Sequence, residues 1–76
     1  MKVNAYLTDG FETVEALAVI DILRRAGIDT QTVSVTGESE VKSAQDILVR
    51  ADRLFDKSAE EADAIVLPGG PGSRAF

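Results

Sequence analysis

Three positions in this chain have residue types and spacing that could serve chemistry: Glu15, Gly69 and Gly70. On a helix, Glu15 would share a stripe with Ala18, Val19 and Ile22, its neighbours three, four and seven residues on. Burial on such a stripe favours the protonated carboxyl and suits it to give or take a proton near neutral pH. The plainer reading is an exposed acid close to a helix N-terminus, stabilised there by the helix dipole. Gly69 and Gly70 follow the apolar run Ala64-Ile65-Val66-Leu67 and Pro68. At the carboxyl end of a strand, where open α/β sheets bind ligands, residues without side chains let backbone N–H groups approach a substrate oxygen. A tight turn before a helix would use the same glycines. Neither Gly-x-x-x-x-Gly-Lys nor Gly-x-Gly-x-x-Gly accompanies them, which argues against a phosphate or dinucleotide loop.

The elements that must position these residues follow from the pattern. Val3 to Thr8 reads as a strand, ended by Asp9-Gly10. Asp9 with Glu12 three residues later has the spacing of a capping-box variant, which makes Asp9 the N-cap. A helix then runs from about Phe11 or Glu12 to Ala26, stopped by Gly27, with Arg24 and Arg25 at the negative end of its dipole. Val14, Ala16, Leu17, Val19, Ile20 and Ile22 occupy nearly every face, the pattern of a helix buried on more than one side. Ile28 to Val35 predicts a second strand, with Ile28, Thr30, Thr32 and Ser34 on one face and Val33 and Val35 on the other, completing a βαβ unit. Glu40 to Ser43 and Ile47 to Val49 predict a small hairpin around Ala44-Gln45-Asp46. Ser58 ahead of Ala59-Glu60-Glu61 reads as the N-cap of a short helix. Ala64 to Leu67 reads as a strand covered on both faces, and Ser73 to Phe76 as the opening of another helix.

Seventy-six residues allow at most one domain, and a chain this small buries only about 60% of the surface it exposes when unfolded. With no Cys and no His, neither a disulfide nor a Cys/His zinc site is available to compensate. Oligomerisation, or a further piece of the same domain, is what remains. Thirteen acidic against eight basic residues leave a net charge of -5, which argues against nucleic-acid and anionic-membrane partners. No apolar run approaches the roughly 20 residues of a membrane span. Met1-Lys2-Val3-Asn4 passes directly into strand-like sequence, so the expectation is a cytoplasmic protein without a secretory leader.

Gly10 to Ala16, Ile20 to Gly27 and Ile65 to Gly70 together resemble the DJ-one/ThiJ/PfpI superfamily, most closely its ThiJ-like branch. The resemblance implies a flavodoxin-like three-layer α/β sandwich with a parallel sheet, of which residues 1–76 would be the N-terminal part. It implies a cysteine nucleophile on a strained strand-to-helix elbow, a dimer, and no cofactor. Glu15 matches the helix glutamate that contacts this thiol. Gly70 would give an oxyanion amide, with Gly69 beside it in the substrate-binding turn. Glu12 would serve the helix N-terminus, and Asp21, Arg24 and Arg25 a solvated face or a dimer contact. Gln45 stands where animal members have a basic residue, which weakens any preference for anionic substrates. Ser43 falls near a secondary cysteine of some relatives and does not replace the nucleophile, and this chain contains no cysteine.

The resemblance thus implies the N-terminal part of a cofactor-independent, metal-free cysteine enzyme acting on reactive carbonyls, of glyoxalase or deglycase type. Its partners would be a small carbonyl substrate or glycated groups, and a second copy or the complementing remainder of the domain. A non-catalytic binding or regulatory domain of the same superfamily is the alternative. A PfpI-type peptidase ranks third, because that activity needs a histidine beside the cysteine.

Overall fold

The computed structural model describes residues 1–69. β1 (Lys2–Leu7) leads into α1 (Thr13–Arg25), followed by β2 (Asp29–Ser34), β3 (Glu40–Lys42), β4 (Leu48–Arg50), β5 (Arg53–Leu54) and β6 (Ala64–Val66). Four strands form a sheet in the order β5-β2-β1-β6, every pair parallel, with Val3 opposite both Thr30 and Ala64. β3 and β4 pair antiparallel as the separate hairpin expected around Gln45, with Val41 opposite Val49. β5 was not expected: two residues long, it extends the sheet beside β2, and Phe55 N–H reaches the Ser34 carbonyl at 2.8 Å.

Side chains alternate across β1, so Val3, Ala5 and Leu7 face one way and Asn4 and Tyr6 the other. α1 packs on the first face, where Ala16 joins Leu7, Phe11 and Val41 in a fully buried cluster. The connection from β5 to β6 crosses the second face and is pinned there by Glu60. Its carboxylate accepts hydrogen bonds from Tyr6 Oη at 3.0 Å, Asn4 Nδ2 at 3.3 Å and the Asp56 N–H at 3.0 Å, and pairs with the Arg53 guanidinium. The Arg53 hydrogen bond outweighs burial and brings the Glu60 carboxyl from an ordinary 4.5 down to about 2, helped by Asp56 N–H and Tyr6. The expected helix at Ser58 is therefore a turn. The Ser58 N–H and hydroxyl both donate to Asp56 Oδ1, at 3.1 and 2.8 Å, so Ser58 is not an N-cap, and Glu60 is held by the sheet.

The start of α1 also differs from expectation. Glu12 is the N-cap, with extended backbone and no capping bond from its own side chain, while Asp9 Oδ1 accepts from Lys42 N–H at 3.1 Å. The hairpin, rather than the helix, takes up Asp9. At the other end Gly27, at φ 77°, sends its N–H to the Arg24 carbonyl, and Ile28 N–H bonds Leu23 O, both at 3.0 Å. This double closure needs a left-handed residue, which is why glycine ends the helix. Arg24 also ties the helix to the loop before β5 through Asp52 at 2.7 Å. Burial would raise the Asp52 carboxyl, but Thr32 N–H and hydroxyl together with Arg24 hold it below the ordinary range.

Two expectations of burial are corrected. On α1 only Thr13, Ala16 and Ile20 are buried, and Val14 and Ile22 are 72% and 65% exposed. On β6 Ile65 is 56% exposed: among the described residues no element packs over it, and the strand lies at the sheet edge. Val14 and Ile22 of α1 and Ile65 of β6 thus leave apolar side chains exposed in this chain.

Replacing Phe11 by Ala is expected to cost about 3–5 kcal/mol in urea unfolding, since the ring is fully buried in the cluster that joins sheet, helix and hairpin. Folding depresses the Glu60 carboxyl, so its contribution is complete above pH 4.5 and is lost as pH falls through about 2. Stability measured across that window should fall with acidification, and Glu60→Gln should flatten the slope while lowering stability at neutral pH.

Candidate active site

α1 and the β5–β6 connection lie on opposite faces of the sheet, so the chain leaves β1 and enters β6 from different sides. Where the strand order of a parallel sheet reverses in this way, the carboxyl ends of the two neighbouring strands open a crevice that binds ligands. Thr8 to Glu15 and Pro68-Gly69 meet at that point. Gly70 lies outside the described residues.

Glu15 lies in the first turn of α1, and both its carboxyl oxygens stand 3.3 Å from where a Cβ on Gly69 would be. The helix acid thus lies against the glycine turn. The sequence misjudges the surroundings of that acid. Glu15 is exposed, and its stripe neighbours Ala18, Val19 and Ile22 are exposed with it, so no buried apolar stripe encloses the carboxyl in this chain. Glu12 N–H donates to the Gly69 carbonyl at 2.8 Å, which joins the helix start to the end of β6. The Glu12 carboxylate accepts from Gln45 Nε2 at 3.3 Å.

Gln45, at the centre of the hairpin, has a structural part beyond the charge it lacks. Its Oε1 accepts from Thr13 N–H at 3.2 Å and from Thr13 Oγ1 at 2.7 Å, so the hairpin caps the helix from outside. The hairpin holds the approach to α1 at further points: Gly10 N–H to Lys42 O and Ala44 N–H to Phe11 O, both 2.8 Å. No local pattern could have indicated this, because a capping residue is sought immediately ahead of the helix. Ser43 is a buried hairpin residue whose hydroxyl accepts Ile47 N–H at 3.2 Å. Asp21 and Arg25 form an exposed pair at 2.9 Å, away from the crevice.

Among the described residues no cluster of three or more carboxylates offers a metal site, and no helix is long and apolar enough to cross a membrane. A shallow depression lined by Lys2, Glu61, Ala62 and Asp63 opens at the amino ends of β1 and β6, the wrong end of the sheet for the groups described above. The arrangement at the carboxyl ends holds one carboxylate against a side-chain-free turn.

A parallel α/β sheet with a helix acid held at the glycine turn of its edge strand defines a flavodoxin-like protein of a particular kind. The chain belongs to the DJ-1/PfpI family, whose model it matches over residues 1–75. It is 38% identical over 72 residues to protein DJ-1 homolog B of Arabidopsis thaliana and 36% identical over 67 residues to protein dj-1beta of Drosophila melanogaster. These matches cover 92% and 87% of this chain but 16% and 36% of the relatives, so the chain spans well under half of their length. The crystal structure of Drosophila DJ-1beta superposes with a TM-score of 0.89 at 31% identity, covering 97% of this chain and 40% of that one. A cysteine-to-alanine mutant of a DJ-1 superfamily protein from Salmonella typhimurium gives a TM-score of 0.87 at 42% identity, covering 92% and 38%.

Gly69→Ala places a methyl group 3.3 Å from the Glu15 carboxyl oxygens, closer than such contacts ordinarily run. The exposed carboxylate has room to yield, so a crystal structure of the variant should show Glu15 displaced by a few tenths of an ångström with the sheet unchanged.

Proposed function

We propose that this chain is the N-terminal part of one DJ-1/PfpI domain and that the whole protein is a cofactor-independent cysteine enzyme acting on reactive carbonyls, of glyoxalase or deglycase type. The observation that carries the reading is the Glu15 carboxylate set against Gly69 at the carboxyl ends of β1 and β6. The thiolate, from residues outside this chain, adds to the carbonyl carbon, and the carbonyl π pair moves to oxygen. The amide of Gly70 is assigned to that developing negative charge, and Glu15 transfers the proton that the adduct requires. Family membership and the Glu15–Gly69 contact support this assignment. Gln45, neutral where animal members are basic, supports a neutral carbonyl substrate over an anionic one. The whole protein is proposed to act in the cytoplasm as a homodimer.

With methylglyoxal as substrate, Glu15→Gln in the whole protein should lower kcat/KM by about 10²–10⁴-fold while the protein stays folded. The 76-residue chain, which has no thiol, should show no turnover. Turnover by a preparation without any cysteine, or full activity of Glu15→Gln, would rule the assignment out.

A further inference from the structure

Gln45 occupies an unusual place for a residue that stabilises a helix. Ser43, Ala44, Gln45 and Asp46 form a turn closed by Asp46 N–H to Ser43 O at 3.0 Å, and Asp46 follows at φ 65°. A turn followed by a left-handed residue is a standard three-residue hairpin closure, and aspartate tolerates that conformation better than most side chains. The tip is fixed again where Ser43 N–H meets Ile47 O at 2.9 Å. Gln45 is therefore presented on a braced tip. Its amide uses both ends, accepting from Thr13 and donating to Glu12.

Glu12 and Thr13 are the two residues at which α1 begins, and Glu15 follows within the same turn. The Glu12 carbonyl accepts Ala16 N–H at 3.1 Å, which closes that turn around Glu15. One side of the turn is fixed to the segment after β6 by Glu12 N–H and Gly69 O, and the other to the hairpin by Gln45. Glu12 makes no capping bond with its own side chain, so Gln45 does what the local sequence leaves undone.

From this geometry we infer that Gln45 is a positioning residue for Glu15: the hairpin tip locks the first turn of α1 so that the carboxylate stays against Gly69. The inference rests on the proton-transfer role of Glu15 proposed above. Misplacing a reacting group by about 1 Å can cost up to roughly 100-fold in rate, so the lock reads out in turnover rather than in substrate affinity.

The test uses the whole protein. Gln45→Ala should lower kcat for methylglyoxal by about tenfold or more with KM changed less than about twofold. Thr13→Val, which removes the hydroxyl from the same link, should act in the same direction, and the double variant should lose no more than Gln45→Ala alone. Thr13→Ser, which keeps both donors, should retain wild-type kcat. A crystal structure of Gln45→Ala should show the Glu15 carboxyl withdrawn from Gly69. Wild-type kcat in Gln45→Ala, a fall in melting temperature alone, or Glu15 unmoved in that crystal structure overturns the inference. The structural readout separates the two proposals: if Glu15→Gln keeps full activity, the catalytic reading fails, while the position of Glu15 in Gln45→Ala still decides the part played by Gln45.

Discussion

The hydrogen bond from Glu12 N–H to the Gly69 carbonyl joins the opening of the only long helix among the described residues to the end of the edge strand. The first N–H groups of a helix have no partner within it, and each must find an acceptor elsewhere or lose free energy on burial. Here the acceptors come from distant parts of the chain, Gly69 for Glu12 and Gln45 for Thr13. The bonds that satisfy the helix are consequently the bonds that place Glu15. Stability of α1 and geometry of the crevice are two results of one set of contacts.

The sheet behind this junction is held by polar side chains as much as by apolar ones. Thr30, Thr32 and Ser34 are buried on the face of β2 that continues the Val3, Ala5 and Leu7 face of β1, and Asn4 is buried on the other. Burial of such groups is tolerable only when each is paired. Among the described residues no buried side-chain nitrogen or oxygen is left without a partner. Thr32 exchanges hydrogen bonds with Asp52, and Asn4 and Tyr6 converge on Glu60. This polar lacing fixes the irregular connections on which β5 and β6 depend. The fully buried apolar cluster lies where β1, α1 and the hairpin meet around Phe11, and Val3, Ala5, Ile20, Val33 and Ala51 are buried as well.

Much of the fold was legible because it is written in local signals. The alternation of β1 and β2, the glycine that ends α1 and the hairpin around Gln45 each follow from residues near one another in sequence, and each matches the structure. The contact of Glu15 with Gly69 was not legible in local signals, since nothing in the spacing of residues 15 and 69 announces it. Asp9 and Ser58 misled because a short polar residue ahead of an acid looks alike whether its partner is a helix N–H or something else. Asp9 was claimed by Lys42, and Ser58 by Asp56.

What the sequence determines by itself is therefore periodicity, chain reversal and composition: which segments extend, where the helix stops, and that no thiol or imidazole is present. These depend on backbone preference and side-chain identity, which act over a few residues. The tertiary structure alone decided which acceptor caps α1, that Glu60 serves the sheet rather than a helix, and that Glu15 is exposed beside Gly69. Hydrogen bonding and burial depend on what arrives from elsewhere in the chain. A side chain with several possible partners takes the one that packing brings within reach.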